Sequence, residues 1–404
     1  MVCKMMFKNT FLFFVLIVFA CGNSVKSKVE NQKSKETKLE TELEIKTGAD
    51  NYSKYMPLLK NKKVGIVTNQ SGILTNKTHL VDFLLSEKIN IQKIYAPEHG
   101  FRGTADAGEV IKDGKDIKTS LPIISLYGNN KKPKPEQLEG IEIMVFDLQD
   151  VGARFYTYIS SLHYVMEACA EKNIPLIVLD RPNPNGGIVD GPILEKEFTS
   201  FVGMHQIPVL HGMTIGEYAK MINGEKWLKN EVQCNLTIIS CLNYNRNLFY
   251  DLLVKPSPNL PNAQAINLYA SLCFFEGTNV SVGRGTEKQF QIYGSPYLDK
   301  GNFSFTPQPN EGAKDPTYNG ETCYGEDLTQ IKPVNKLELK WLMKAYAETT
   351  DKSKFFNAFF TKLAGTKKLQ EQIEKGVSEN NIRDSWQKGL TDFKEMRSKY
   401  LIYE

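Results

Sequence analysis

The sequence predicts an α/β chain, a mostly parallel sheet with helices on both faces. Three observations carry this. The strand candidates are short, mostly continuous apolar runs, as expected of strands buried on both faces. Segments with helical apolar spacing separate them. The strands also release polar or ionisable side chains at their carboxyl ends, where open α/β sheets bind ligands.

Taken in order, Lys63–Thr68 (KVGIVT) reads as a strand ending in the polar turn Asn69-Gln70-Ser71-Gly72. Thr78–Glu87 reads as a helix with Leu80, Phe83 and Leu84 on one face. Ile91–Ala96 is the second strand, releasing Glu98 and His99; Leu121–Tyr127 is a third. Glu142–Leu148 is a fourth, releasing Asp147, Gln149 and Asp150. Leu162, Val165, Met166 and Cys169 make Tyr158–Asn173 helical. Ile174–Leu179 is a fifth strand, followed by Asp180 and Arg181. His205 and His211 flank a short strand, Ile207–Leu210, and Thr214 with Glu217 forms a capping box for a helix running to Asn223.

At Lys255–Asn262 proline stiffens the chain, and the domain boundary is placed there: 48–254 and 255–404. Ile266–Phe275 reads as an apolar helix and 301–335 as loop-rich. Leu337–Ala347, Phe355–Leu363, Lys368–Lys375 and Ile382–Lys399 read as amphipathic helices, with Trp341 and Trp386 packing in a small second core. A larger domain beside a smaller one leaves a cleft, a preferred ligand site.

The front of the chain is different. Lys4 and Lys8 precede the apolar run Phe11–Ala20, too short to span a bilayer but the length of a secretory signal. Val18-Phe19-Ala20-Cys21 resembles the lipobox of bacterial lipoproteins, which would acylate Cys21 and tether the protein to a membrane; the alternative is a plain signal with an incidental cysteine. Residues 22–47 are polar and charged and read as a solvated tether. A net charge of +4 gives no argument for nucleic acid. Cys169, Cys234, Cys241, Cys273 and Cys323 contain no C-x-x-C, which argues against a zinc cage; Cys234 and Cys241 are near enough in sequence to pair. No strand is followed by G-x-G-x-x-G, so no nicotinamide cofactor is expected, nor any other.

The stretch Ile91–Glu109 gathers Glu98, His99 and Arg102 among three glycines and is the centre of the expected site. Downstream, Arg154 beside Phe155, Tyr156 and Tyr158 suits an anionic sugar, the cation for a carboxylate and the rings for pyranose faces. The other reading makes Phe155 and Tyr158 core and has Arg154 cap a carboxylate. Glu276, Arg284, Thr286 and Glu287 occupy a second polar, glycine-rich loop. Ligand contacts are expected from Asn69, Gln70, His99, Arg102, Asp147, Gln149, Arg154, Tyr156, Tyr158, Arg181, Asn183, Glu276, Arg284 and Thr286.

Asn69-Gln-Ser-Gly72, Pro97-Glu-His-Gly100, Ser125-Leu-Tyr-Gly128, Asp147 to Tyr158, Asp180-Arg-Pro-Asn-Pro184 and Glu276 to Thr286 together resemble the NamZ-type exo-β-N-acetylmuramidases. The resemblance runs from about residue 50 to the C-terminus and departs at Gln289-Phe290, where members often carry Pro before Phe. It implies a Rossmann-like N-terminal domain, a smaller α+β C-terminal domain, and a site between them. It implies release of N-acetylmuramic acid from the non-reducing end of peptidoglycan fragments, with Glu98 as the catalytic residue. Glycoside cleavage usually takes two carboxylates; the second is expected to be Asp150, then Glu287 or Glu276. Arg102, Arg154 and Arg284 are available for the lactyl carboxylate. Two other readings are a non-catalytic peptidoglycan-binding lipoprotein and a metal-dependent hydrolase built on His99, Asp147 and Asp180.

Overall fold

The computed structural model describes residues 43–101 and 113–404. The leader with Cys21, the tether up to residue 42, and Arg102 lie outside the described residues. The expected tether ends early: Lys46 already exchanges both backbone hydrogen bonds with Leu242.

The principal sheet is built from β1 (Lys63–Thr68), β2 (Asn90–Ala96), β3 (Gly114–Lys115), β4 (Pro122–Ser125), β5 (Ile143–Asp147), β6 (Leu176–Leu179) and β7 (Leu236–Ile239). Their order is β3-β4-β2-β1-β5-β6-β7, parallel throughout except for β3. Without the short antiparallel edge this is the doubly wound Rossmann order, with its switch point between β1 and β5.

Alternation along the strands divides the interior. Val64, Ile66, Ile143, Val145, Ile177 and Leu179 face α1 (Tyr52–Leu59) and α2 (Leu80–Ser86), through Tyr55, Leu59, Val81 and Leu84. Val67, Tyr95, Met144, Phe146, Leu176 and Val178 face α3 (Tyr158–Glu171) and α4 (Ile215–Gly224). Thr214 caps α4 in the expected box, with Glu217 reaching back to the Thr214 N–H at 3.0 Å.

The second apolar layer does not stop at α4. It continues through α5 (Ala263–Leu272) into α6 (Lys340–Glu348), α7 (Phe360–Ala364), α8 (Lys368–Glu374), α9 (Glu379–Asp384) and α10 (Gln387–Ser398). Trp341 and Trp386 therefore join the large core, and the small separate core expected around them is replaced by a shared one. The stretch read as loop-rich contributes to a three-stranded antiparallel sheet of order β8-β10-β9: β8 (Ile292–Ser295), β9 (Ser304–Phe305) and β10 (Cys323–Asp327). Gly325 pairs with Gly294 there, and a Cβ on Gly325 would lie 1.9 Å from the Tyr293 carbonyl oxygen. Ile207–Leu210 forms only isolated bridges through Leu210. Cys169, Cys234, Cys241, Cys273 and Cys323 are buried free thiols, so Cys234 and Cys241 do not pair.

Asp180, at the end of β6, ties three segments together. It accepts from the Thr214 hydroxyl at 2.7 Å, the Gly216 N–H at 2.7 Å and the Tyr403 hydroxyl at 2.7 Å. Burial raises its carboxyl from 3.8 to about 6, against the lowering pull of those hydrogen bonds. The folded chain thus binds more protons than the unfolded chain between these values. This contribution to stability is present at low pH and is lost as pH rises through the window, by about 3 kcal/mol in all. Asp180→Asn removes the dependence. Relative to wild type, the variant should gain stability from pH 4 to 6 and then level off in urea unfolding; a pH-independent difference would contradict the assignment.

Candidate functional site

A cavity of about 440 Å³ opens beyond the carboxyl ends of β2, β4 and β5 and is closed on its other side by the C-terminal half. Glu98 and His99 enter from β2, Tyr127 from β4, Phe155 to Thr157 from the loop between β5 and α3, and Tyr158 from the start of α3. Phe201, Asn259, Tyr269, Glu276, Arg284, Phe290 and Asp315 complete much of the wall.

Glu98 lies two residues past the end of β2, and the Gly100 N–H closes the turn onto the Pro97 carbonyl at 3.0 Å. One carboxylate oxygen accepts from the Tyr127 hydroxyl at 3.0 Å, the other from the Thr157 hydroxyl at 2.8 Å. Thr157 immediately precedes α3, so the carboxylate faces the positive end of that helix. Tyr158 donates to the Glu98 main-chain oxygen at 3.4 Å and accepts from Asn69 Nδ2 at 2.6 Å. Burial raises the Tyr156 and Tyr158 hydroxyls above their ordinary values, keeping them protonated. Two non-glycine residues of the wall have left-handed backbones, His99 (φ 71°) and Phe290 (φ 54°). Such conformations cost about 1–3 kcal/mol each and concentrate at ligand sites.

The opposite wall is aromatic and ends in a cation. Tyr156 meets Tyr269 edge-on with centroids 6.0 Å apart, Tyr269 meets Phe290 at 5.0 Å, and the Arg284 guanidinium lies 5.1 Å from the Phe290 ring. Arg284 Nε donates to Glu276 at 2.6 Å. Burial would lower the Arg284 pKa, but the Glu276 charge and hydrogen bond outweigh it and hold it above its ordinary value. Its two terminal nitrogens make no hydrogen bond among the described residues and remain able to receive an anion.

Several expected contacts are turned elsewhere. Arg154 is fully buried, donating from Nη1 to the carbonyls of Pro192 (2.8 Å) and Ile207 (2.7 Å), and from Nη2 to those of Leu363 and Ala364 (2.9 Å each). Burial lowers its pKa to about 9, still above neutrality. It holds two halves of the chain together and is not a carboxylate receptor. Phe155 and Tyr158 are buried beside it in sequence, as the structural reading of that motif had them, though both also reach the cavity wall.

At the switch point the polar side chains bind one another. Arg181 forks onto Asp147 at 2.6 and 3.0 Å, both buried. Gln149 donates to the Asp150 and Pro182 carbonyls, and Asn183 to the Met213 carbonyl. Asn69 is buried against Ser71 and Tyr158 and supports the site from behind. Gln70 donates to the Lys255 and Pro256 carbonyls, fastening the proline-rich segment.

Asp150 is also displaced from its expected role as second carboxylate. It is buried, accepts from the Gly152 N–H at 2.7 Å, and lies 3.6 Å from His211 Nε2. The turn it caps requires glycine: Gly152 has φ 78°, and a Cβ there would sit 2.3 Å from Asn183 Oδ1. Glu287 is exposed and outside the cavity wall, and the Thr286 hydroxyl donates to the Gly283 carbonyl. Of the proposed metal set, Asp147 is paired with Arg181 and Asp180 with hydroxyls, away from His99 at the wall.

Tyr127, Thr157, Phe201, Tyr269 and Asp315 also line the cavity and were not expected from the sequence. Tyr127 obeys the same strand-end rule that found Glu98, and Thr157 is the residue before the predicted helix start; the other three carried no sequence signal.

Arg154→Ala should destabilise the chain by at least about 3 kcal/mol, because four buried carbonyls lose their donor. Urea unfolding checks this, and Arg154→Lys should recover only part, since an ammonium cannot reach all four. A soluble, normally stable alanine variant would refute the structural role.

Comparison with known proteins matches residues 64–264 to the family model for the N-terminal part of the exo-beta-N-acetylmuramidase NamZ, and residues 267–403 to that for its C-terminal part. The chain is 38% identical to the peptidoglycan beta-N-acetylmuramidase NamZ of Bacillus subtilis (strain 168), over 93% of this chain and 94% of that one. Among solved structures it resembles two DUF1343 family proteins from Bacteroides fragilis NCTC 9343. BF0379 is 42% identical with a TM-score of 0.83, covering 90% of this chain and 99% of that one. BF0371 is 29% identical with a TM-score of 0.75, covering 89% and 99%.

Proposed function

This chain belongs to the NamZ family of exo-β-N-acetylmuramidases, and on that premise we propose that it is a glycoside hydrolase releasing N-acetylmuramic acid from the non-reducing end of peptidoglycan fragments. The observation that carries this reading is Glu98, a carboxylate held by two hydroxyls in a cavity whose aromatic wall leads to Arg284. Aromatic faces suit a pyranose, and a guanidinium whose terminal nitrogens make no hydrogen bond among the described residues suits its lactyl carboxylate.

In this mechanism Glu98 gives a proton to the glycosidic oxygen as its bond to the anomeric carbon breaks. Water supplies the hydroxyl that ends on that carbon, and its remaining proton restores Glu98. Tyr127 and Thr157 hold the carboxylate in position throughout. Glu276 keeps Arg284 aimed into the cavity.

The run Phe11–Ala20 and the sequence before Cys21 support export and lipid anchoring, on the periplasmic or cell-surface side where peptidoglycan lies. No helix among the described residues is long and apolar enough to cross a membrane.

A chromogenic N-acetylmuramic acid glycoside should be cleaved with or without chelator. Glu98→Gln should lower kcat by about 10²-fold or more while calorimetry still detects product binding; unchanged turnover removes Glu98 from the chemistry. Arg284→Met should raise KM for the muramic acid glycoside about tenfold more than for the N-acetylglucosamine glycoside. Equal effects on both sugars would refute a lactyl contact.

A further inference from the structure

A second chain of contacts leads from Glu98 through Tyr127 and Phe201 at the cavity wall to Lys131 beyond it. In the sheet order, β4 and β5 lie on opposite sides of β2, which carries Glu98. On the β5 side the aromatic wall leads to Arg284. On the β4 side, Tyr127 contacts both the Glu98 carboxylate and the Phe201 ring, with ring centroids 6.4 Å apart. Phe201 is half-buried at the cavity wall and stacks on Tyr164 of α3. Over its ring, 4.5 Å from the centroid, stands the Lys131 ammonium.

Lys131 differs from the lysine beside it. Lys132 is neutralised by Glu167 at 2.6 Å and Glu171 at 2.8 Å. The Lys131 ammonium has no carboxylate within ion-pairing distance among the described residues. A half-buried cation held over an aromatic ring, with no counter-ion among the described residues, is suited to an anion arriving from solution.

An exo-acting hydrolase has one departing chain, which must leave on the side opposite the terminal sugar. If Arg284 receives the terminal lactyl group, the departing chain runs toward Tyr127 and Phe201. Its first sugar is N-acetylglucosamine and carries no charge; its second is again a muramic acid with a carboxylate.

We propose that Lys131, held over Phe201, is a specificity-determining cation that reads the lactyl carboxylate of the next muramic acid in the departing chain. This rests on the hydrolase reading above and adds a preference for longer, anionic leaving groups.

The test compares kcat/KM on two substrates. One is the muramic acid–N-acetylglucosamine disaccharide; the other is the trisaccharide that adds a second muramic acid at the reducing side. Wild type should prefer the trisaccharide, and the preference should weaken as sodium chloride rises. Lys131→Gln should lower the trisaccharide-to-disaccharide ratio about two- to fivefold. Lys131→Glu should lower it further and reverse its salt dependence. A trisaccharide with its second lactyl group capped as a neutral amide should behave like the disaccharide. An unchanged ratio in both variants, or an undiminished preference for the capped substrate, overturns the proposal. Wild type that cleaves neither saccharide overturns instead the reading on which it rests.

Discussion

Arg154 lies in the interior between the loop after β5, the segment from Pro192 to Ile207, and the end of α7, and both halves of the cavity are registered against it. A guanidinium cannot be taken out of water without acceptors for its N–H groups. Here the acceptors are carbonyls from chain positions far apart in sequence. The same loop carries Thr157 to the Glu98 carboxylate and Tyr156 to the aromatic wall. The C-terminal half, which supplies Arg284 and Glu276, is thereby fixed relative to the strand that supplies Glu98.

The carboxyl ends of the strands follow one rule with two outcomes. After β1, β5 and β6 the polar groups turn inward, and Asp147, Gln149, Arg181 and Asn183 satisfy one another or nearby carbonyls. The switch point, where many doubly wound sheets bind ligand, is therefore filled by protein. After β2 and β4 the side chains of Glu98 and Tyr127 reach the cavity instead. The site is displaced toward the edge of the sheet, where the second half of the chain can roof it.

Of the strands that sequence reasoning found, Lys63–Thr68 is buried from Val64 onward and leaves an unbroken apolar record. Those it missed leave no such record. Leu236–Ile239 is half-exposed at an edge, and the strands at Ile292 and Cys323 are interrupted by glycines that face each other. Glu98 was legible because a charge just after a buried strand must emerge at its end. Arg154 was equally conspicuous, but its neighbours in space are carbonyls, which every residue possesses and no sequence advertises. Whether a strand-end charge meets solvent or a partner depends on segments as distant as residue 364.

The apolar layer that runs without a break from the sheet through α10 also limits how such a protein can be rearranged over time. Cut near residue 254, each portion would present to water the surface that the other now covers. Neither portion is a cassette that recombination could lend to an unrelated chain; the two must be inherited together, and variation is left to the loops at the rim.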